Sequence, residues 1–452
     1  MNHSPSPFLF SSIQEMQEYL RRVPTFANQG RGAINPGLET IQRVLDLIGS
    51  PQFAYPTIHI AGTNGKGTTS RLLASILMES GLKTGITTSP HLLSFHERIQ
   101  IGDEKITDEQ FLTFFRETGP VLKQHPLSYF ELMTAAAFWH FAKQQVDVAV
   151  VETGLGGRLD ATNVVLPVCS IITSISMDHT DLLGETLESI AIEKGGIIKS
   201  GIPIIVSQLP PQAFTVLKDI ASKKGSPLWK TPSNTIDRNG DHVILLEPEL
   251  IVEVNRDQFS DVDMINLPTV LTCVKIMQKK GFTQIDHESI RNGLQAYRRY
   301  FPLRSTFSKI NKEKSWYYDG AHNVESITLL ITQLQKIAPL HKWTLVFSMM
   351  KDKLNAEILT LLSRIGRRYF VPVNTDRAAS YEDLLTCWNA SFSKADKNET
   401  SLNPQTPEPP ILLQDLSEIS GRFSNELVIF TGSFYFYEPL MNAERNHRPF
   451  HT

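Results

Sequence analysis

The chain has 452 residues, 41% hydrophobic and 20% charged, with a formal net charge of −3, which is the make-up of a soluble globular protein long enough for two or three domains. The near-balanced charge gives no electrostatic case for nucleic acid or an anionic membrane surface as a partner. Three scattered cysteines (Cys169, Cys273, Cys387) without a CxxC pattern argue against a zinc knuckle or a disulfide framework, and no apolar run approaches a membrane span.

The first sixteen residues lack a basic start and a long apolar core, so no secretory leader is expected and a reducing, cytoplasmic setting is. Thr57–Ala61 reads as a strand. Residues 68–80 read as a helix with Leu72, Leu73, Ile76 and Leu77 on one face. A helix over 131–145 leads to a buried strand over 146–152, a strand over 170–175, a helix over 186–199 and a strand over 202–206. This alternation predicts a mostly parallel sheet covered on both faces. The stretch 225–254 is less regular, with a hairpin expected around Arg238-Asn239-Gly240-Asp241, and helices follow near 266–280 and 288–298.

The rhythm restarts with a strand at 316–319, a helix at 323–336 and a strand at 343–347. A helix at 355–364 and strands at 369–373 and 427–431 complete it. A boundary at Phe301-Pro302 would leave a second α/β domain of typical size, residues 302–452. The polar, proline-containing stretch 393–409 reads as a surface loop. No internal repeat is found.

The most informative run is Gly62-Thr63-Asn64-Gly65-Lys66-Gly67-Thr68, between the first strand and its helix. Glycines let backbone N–H groups close on a phosphate, and the helix start adds positive dipole. Lys66 can reach the β and γ phosphates, and Thr68 or Thr69 a magnesium ion. It is not a standard P-loop, because Gly67 separates Lys66 from Thr68.

Glu152 ends a buried strand, where ligands of open α/β sheets gather, and could hold magnesium; it could equally be an ordinary acidic residue at a strand end. His179 follows the 170–175 strand, which is expected to lie beside the Glu152 strand so that the two converge. Lys194, within Ile190-Ala191-Ile192-Glu193-Lys194-Gly195-Gly196, reads from pattern alone as a helix-surface lysine. Its two neighbouring glycines each cost a helix about 1 kcal/mol against alanine and call for a packing or functional reason.

The combination resembles the folylpolyglutamate synthase and dihydrofolate synthase family within the Mur ligase superfamily. The resemblance rests on HIAGTNGKGTTS (59–70), TSPHLLSFHERIQIG (88–102), YFELMTAAAF (129–138), VDVAVVETGLGGRLDATNV (146–164), MDHTDLLGETLESIAIEKGGIIK (177–199) and DGAHN (319–323). It implies a Mur-ligase-like P-loop ATPase domain over residues 1–301 with a mostly parallel sheet, and a smaller Rossmann-like C-terminal ligase domain. It implies ATP and two magnesium ions as cofactors, with Gly62, Thr63, Asn64, Gly65, Lys66, Gly67 and Thr68 on the ATP phosphates and Ser89, Glu152 and His179 as metal ligands. Lys194 matches the lysine that the family carbamylates with CO2.

By the same resemblance Tyr129, Phe130, Glu131, Leu159, Asp160 and Ala161 match pterin-binding segments. Asn266, Arg304 and Asp319 match nucleotide contacts, and His322 a histidine near the phosphate and amino-acid site. The implied reaction joins L-glutamate to dihydropteroate or a reduced folate through an acyl phosphate, in a protein expected to be a monomer. A folylpolyglutamate-only enzyme, a ligase for another acid and a non-catalytic binding paralogue stand as alternatives. The chain departs from the family pattern at Leu303 (usually glycine), Thr306 (glutamate), Val324 (proline) and across Ser348–Leu354, numbered 348–354.

Overall fold

The short apolar runs of the N-terminal half form the middle of a sheet. In a computed structural model, which describes residues 10, 12–23, 37–232, 236–239, 242–247, 250–255, 259–302, 305–311, 313–392, 407–414, 416–423 and 426–446, eight strands pair in the order β4-β3-β2-β5-β1-β6-β7-β8. They are β1 (Thr57–Ala61), β2 (Thr84–Thr87), β3 (Ile99–Ile101), β4 (Glu104–Lys105), β5 (Val148–Glu152), β6 (Cys169–Ile172), β7 (Ile204–Val206) and β8 (Leu228–Lys230). The pairings from β2 through β8 are parallel, and β3 and β4 add an antiparallel edge.

Every residue of β1 and β5 is buried, as expected where helices cover both faces. Side chains alternate across the sheet. Val148 and Val150 join Ile58 and Ile60 in a core with the helices Lys66–Glu79, Asp261–Lys279 and His287–Tyr300. Ala149 and Val151 point the other way, into a core with Asp108–Gln124 and Tyr129–Lys143. Each fully buried Val, Leu, Ile or Phe contributes about 1.5–3 kcal/mol.

Several bounds differ from the sequence reading. The helix expected at 266–280 starts at Asp261, because Ser260 and Asp263 form a reciprocal capping box, and it continues through Pro268. The helix expected to reach 199 stops at Gly195. The strand over 170–175 is Cys169–Ile172. Helices Asp108–Gln124, Pro211–Lys223, Tyr381–Phe392 and Tyr437–Asn446 had no expected counterpart; the first carries Gly119 and Pro120, which mask its period. Strands β9 (Ile236–Asn239), β10 (His242–Glu247) and β11 (Leu250–Asn255) form an antiparallel sheet. Gly240 and Asp241 of the expected hairpin lie outside the described residues, as do residues 393–406 of the expected loop.

The chain divides into two units, Met1–Pro302 and Leu303–Thr452. The second holds a six-stranded sheet of β12 (Ser308–Lys309), β13 (Trp316–Tyr318), β14 (Trp343–Phe347), β15 (Arg367–Phe370), β16 (Ile411–Leu412) and β17 (Leu427–Thr431). Its order is β12-β13-β17-β14-β15-β16, parallel except for β12. The chain is thus α/β in both units. Among the described residues no helix is long and apolar enough to cross a membrane.

Candidate active site

β1 ends at Ala61 and its helix begins at Lys66, so Gly62–Gly65 must turn the chain within four residues. Gly65 holds the helix N-cap in the left-handed region at φ 84°, where a side chain is strained. No side chain caps this helix start, so its first N–H groups are left for an anion. The segment after β6 pins the loop from behind: Thr63 N–H donates to the Ser174 carbonyl at 2.9 Å and Asn64 N–H to Ser174 Oγ at 2.8 Å. Lys66 Nζ folds back onto the carbonyls of Gly62 (2.9 Å) and Thr63 (3.2 Å).

Asn266 reaches the loop from its helix. A methyl group on Gly65 would lie 2.5 Å from Asn266 Oδ1, and Thr69 Oγ1 donates to the same oxygen at 3.2 Å. That engages Thr69 with Asn266 and leaves Thr68 as the hydroxyl of this helix start that makes no side-chain hydrogen bond among the described residues.

Gly67, the residue that sets the run apart from a standard P-loop, has a spatial reason. A Cβ there would meet Arg71 Nη1 at 3.2 Å and Glu152 Oε2 at 3.5 Å. The tight neighbour is the arginine, and the buried Glu152 carboxylate lies in ordinary contact beside it. Burial raises Glu152 from 4.5 to about 7, against the charges of Lys66 and Arg71 and the N–H of Ser89, which donates to Oε2 at 3.2 Å. Ser89 and Glu152 are therefore neighbours. The strands carrying Glu152 and leading to His179 are not adjacent as expected, since β1 lies between β5 and β6. His179 follows three residues after Ser176, whose N–H donates to Thr63 Oγ1 at 3.1 Å, so its segment still runs along the loop. Among the described residues no three His, Cys, Asp or Glu side chains gather as a metal cage.

Lys194 is not a surface residue. It is 3% exposed, and its Nζ donates to the Gly62 carbonyl at 2.8 Å. Burial first, and then the charge of Lys66, pull it from 10.5 to about 7, against the attraction of Asp178 and Asp160. The paired glycines supply the close approach: a Cβ on Gly195 would press on Ile220 (2.7 Å), and one on Gly196 would collide with the backbone of Arg158.

Phe130 lies over Gly154, where a Cβ would come within 2.5 Å of its ring. Tyr129 starts the same helix beneath the Arg98 guanidinium, 5.5 Å from the ring centroid. Glu131 is buried, and its Oε2 takes the Ser128 N–H (2.9 Å) and hydroxyl (2.6 Å) in a capping box. Asp160 is also buried and accepts from Leu155 N–H (2.8 Å) and Thr162 N–H (3.0 Å). Thr162 Oγ1 links it to the buried His59 of β1, whose Nε2 lies at 2.8 Å. Both acids organise their own segments. Ala161 is buried, while Leu159 is 45% exposed and forms an apolar surface beside them.

In the second unit Asp319 follows β13 and accepts two backbone donors, Phe307 N–H on Oδ2 and Ala321 N–H on Oδ1, both at 2.8 Å. Burial lifts it to about 6. His322 Nδ1 faces the Gly320 carbonyl at 2.8 Å. A carbonyl only accepts, so Nδ1 carries the proton and Nε2 the lone pair of the neutral ring. Asn323 caps the helix Val324–Ile337 through the Ser326 N–H. Arg304 lies outside the described residues.

Residues 60–238 match the Mur ligase middle domain. The dihydrofolate synthase/folylpolyglutamate synthase of Bacillus subtilis is 31% identical over 95% of this chain and 98% of its own. The Escherichia coli protein of the same name is 31% identical over 82% of this chain and 88% of its own. The chain belongs to the dihydrofolate synthase/folylpolyglutamate synthase family. A solved structure of E. coli FolC in complex with DHPP and ADP superposes with a TM-score of 0.79 at 26% identity, covering 99% of this chain and all of that one (100%). A bifunctional folylpolyglutamate synthase/dihydrofolate synthase with Mn, AMPPNP and L-glutamate bound gives 0.78 at 27%, covering 98% and 100%.

Two of the departures from the family pattern, Val324 and residues 348–354, fall in described segments of the second unit. Val324 occupies the first helical position, where the family's proline would lack an N–H that the helix does not use; the Asn323 cap preserves the turn. In the 348–354 region, Asp352 pairs with Arg377 at 2.8 Å and with Lys353 at 3.5 Å. Leu303 lies outside the described residues. Sequence reasoning missed Arg71, Arg98, His91 and His59. The first two are exposed-looking arginines in a linear reading, and nothing local signals what the fold sets opposite them.

Proposed function

We propose that this protein ligates L-glutamate to dihydropteroate, to a reduced folate, or to both, converting ATP to ADP and phosphate through an acyl-phosphate intermediate. The observation that carries this reading is the convergence of Lys66, buried Lys194 and Glu152 on Gly62–Gly67, in a chain alike over nearly its whole length to dihydrofolate synthase/folylpolyglutamate synthases. The unit 1–302 would bind ATP and the acid, and 303–452 would serve as the ligase unit. In the first step a carboxylate oxygen of the acid attacks the γ-phosphorus and ADP leaves. Lys66 and the N–H groups after Gly65 offset the charge. The amine of glutamate then displaces phosphate at the acyl carbon and gives up a proton, a step to which His322 is assigned by its match to the family histidine. Exclusion of water protects the acyl phosphate.

The residues fit magnesium: a hydroxyl at Ser89, a buried carboxylate at Glu152 that a cation would favour in its charged form, and an imidazole at His179. Bound there, magnesium would supply charge neutralisation at the transferring phosphoryl group. Lys194, brought by burial to about 7, presents a substantial fraction of the free amine that a carbamate with CO2 requires near neutral pH. Asn266, Arg304 and Asp319 are assigned to the nucleotide. Tyr129, Phe130 and the exposed apolar side chain of Leu159 are assigned to the pterin, with Glu131, Asp160 and Ala161 shaping its walls.

The test is a product assay by mass spectrometry with ATP, magnesium and glutamate, using dihydropteroate and tetrahydrofolate separately. Glutamate added to one or both acids supports the reading. Glutamate-dependent ADP release with neither would sink it.

A further inference from the structure

We propose that Arg98 is the residue that holds the reacting carboxylate of the acid substrate, an inference that rests on the ligase reading above. Its setting is built rather than incidental. The buried Glu97 carboxylate accepts the N–H groups of Leu92, Leu93 and Ser94, each at 2.9 Å, and folds the segment into a tight turn. That turn returns the chain so that Arg98 Nε donates to His91 Nδ1 at 2.8 Å. The accepting Nδ1 makes His91 a neutral ring with its proton on Nε2. The guanidinium also lies over the ring of Tyr129, 5.5 Å from its centroid. A hydrogen bond on one edge and an aromatic face beneath fix the plane of the fork.

The outer edge of the fork is what remains. Arg98 Nη1 and Nη2 make no hydrogen bond or ion pair among the described residues, although the side chain is only partly exposed. Its backbone carbonyl accepts from Thr88 N–H at 3.2 Å. That is one residue before Ser89, whose N–H meets Glu152. The fork thus belongs to the wall that carries Glu152, next to the start of the helix that holds Tyr129 and Phe130. Glu152 already has Lys66 and Arg71 as its stronger cationic neighbours, so Arg98 is not needed to neutralise it. ATP phosphates have the loop and Lys66. An aryl carboxylate delivered over Tyr129 is the anion left to match a planar pair of N–H donors. Held through one oxygen, it keeps the other for attack: the new O–P bond forms, the bond to the bridging oxygen breaks, and the electron pair leaves with ADP.

The experiment is binding without ATP or glutamate, measured by calorimetry on full-length wild-type, R98K and R98Q proteins. The probes are dihydropteroate and the same molecule with its carboxylate replaced by a carboxamide. R98Q is expected to weaken the acid by about 10- to 100-fold and leave the carboxamide within about twofold of wild type. R98K should fall between, since it keeps the charge and loses the fork. ATP affinity should not move, and the melting temperature should fall by no more than a few degrees for the lost His91 and Tyr129 contacts. Equal weakening of acid and carboxamide, unchanged acid binding, or a parallel loss of ATP affinity overturns this inference alone. Wild-type protein that binds neither dihydropteroate nor tetrahydrofolate overturns the ligase reading together with it.

Discussion

Lys194→Met should make the protein more stable and less active. Lys194 is buried, and its ammonium is disfavoured enough to bring it from 10.5 to about 7. The unfolded chain keeps the proton up to pH 10.5, whereas the folded chain gives it up near pH 7. Between those values unfolding takes up a proton, so wild-type stability rises with pH across that window and is lowest below it. Linkage puts the cost at about 4 kcal/mol at pH 7 and about 1 kcal/mol at pH 9.5. The hydrogen bond to the Gly62 carbonyl offsets roughly 1–2 kcal/mol of this. Methionine fills the same channel without a charge. A net gain of about 2–3 kcal/mol at pH 7 corresponds to roughly 3–5 °C in the melting of a unit this size. The assay is differential scanning calorimetry in CO2-free buffer without divalent ions, at pH 7 and 9.5. Activity should fall by about 10²–10³-fold. A variant that melts no higher than wild type at pH 7, or a gap that does not narrow at pH 9.5, refutes the reasoning.

Glu152→Gln tests the other buried charge. Burial raises Glu152 from 4.5 to about 7, so the wild type loses up to about 3 kcal/mol as pH rises through that interval. The variant should melt higher at pH 8 without divalent ions, and only the wild type should gain stability when magnesium is added. Gly65→Ala places a Cβ 2.5 Å from Asn266 Oδ1 at φ 84°. It should cost about 1–3 kcal/mol and weaken ATP at least about tenfold in equilibrium binding. Asp319→Asn turns one acceptor toward the Phe307 or Ala321 N–H into a donor; denaturant unfolding should report a loss of about 1–3 kcal/mol. Asn323→Ala removes a helix cap and should cost about 1 kcal/mol in the same assay.

The strand–glycine–helix run was legible because all its parts are local: an apolar strand, turn residues and a helix period within a dozen positions. The DGAHN turn was legible for the same reason, with Asn323 capping the helix that it begins. Helix Asp108–Gln124 was not, because Gly119 and Pro120 disguise a segment whose Phe111, Phe114 and Phe115 are held by tertiary burial.

By itself the sequence determined the α/β alternation, the phosphate-binding loop and which residue types stand near it. Only the tertiary structure decided what those residues are. Lys194 reads as a surface lysine on its own helix, and becomes a buried amine on Gly62 because Gly195 and Gly196 let that helix pack against Ile220 and Arg158. Gly67 reads as a superfluous glycine until the fold sets Arg71 Nη1 3.2 Å from where a Cβ would stand, with Glu152 from the neighbouring strand in contact beside it. Protonation and fit depend on what surrounds a side chain, and the surroundings that matter here, Gly62 against Lys194 and Glu152 beside Gly67, come from segments beyond the reach of any local pattern.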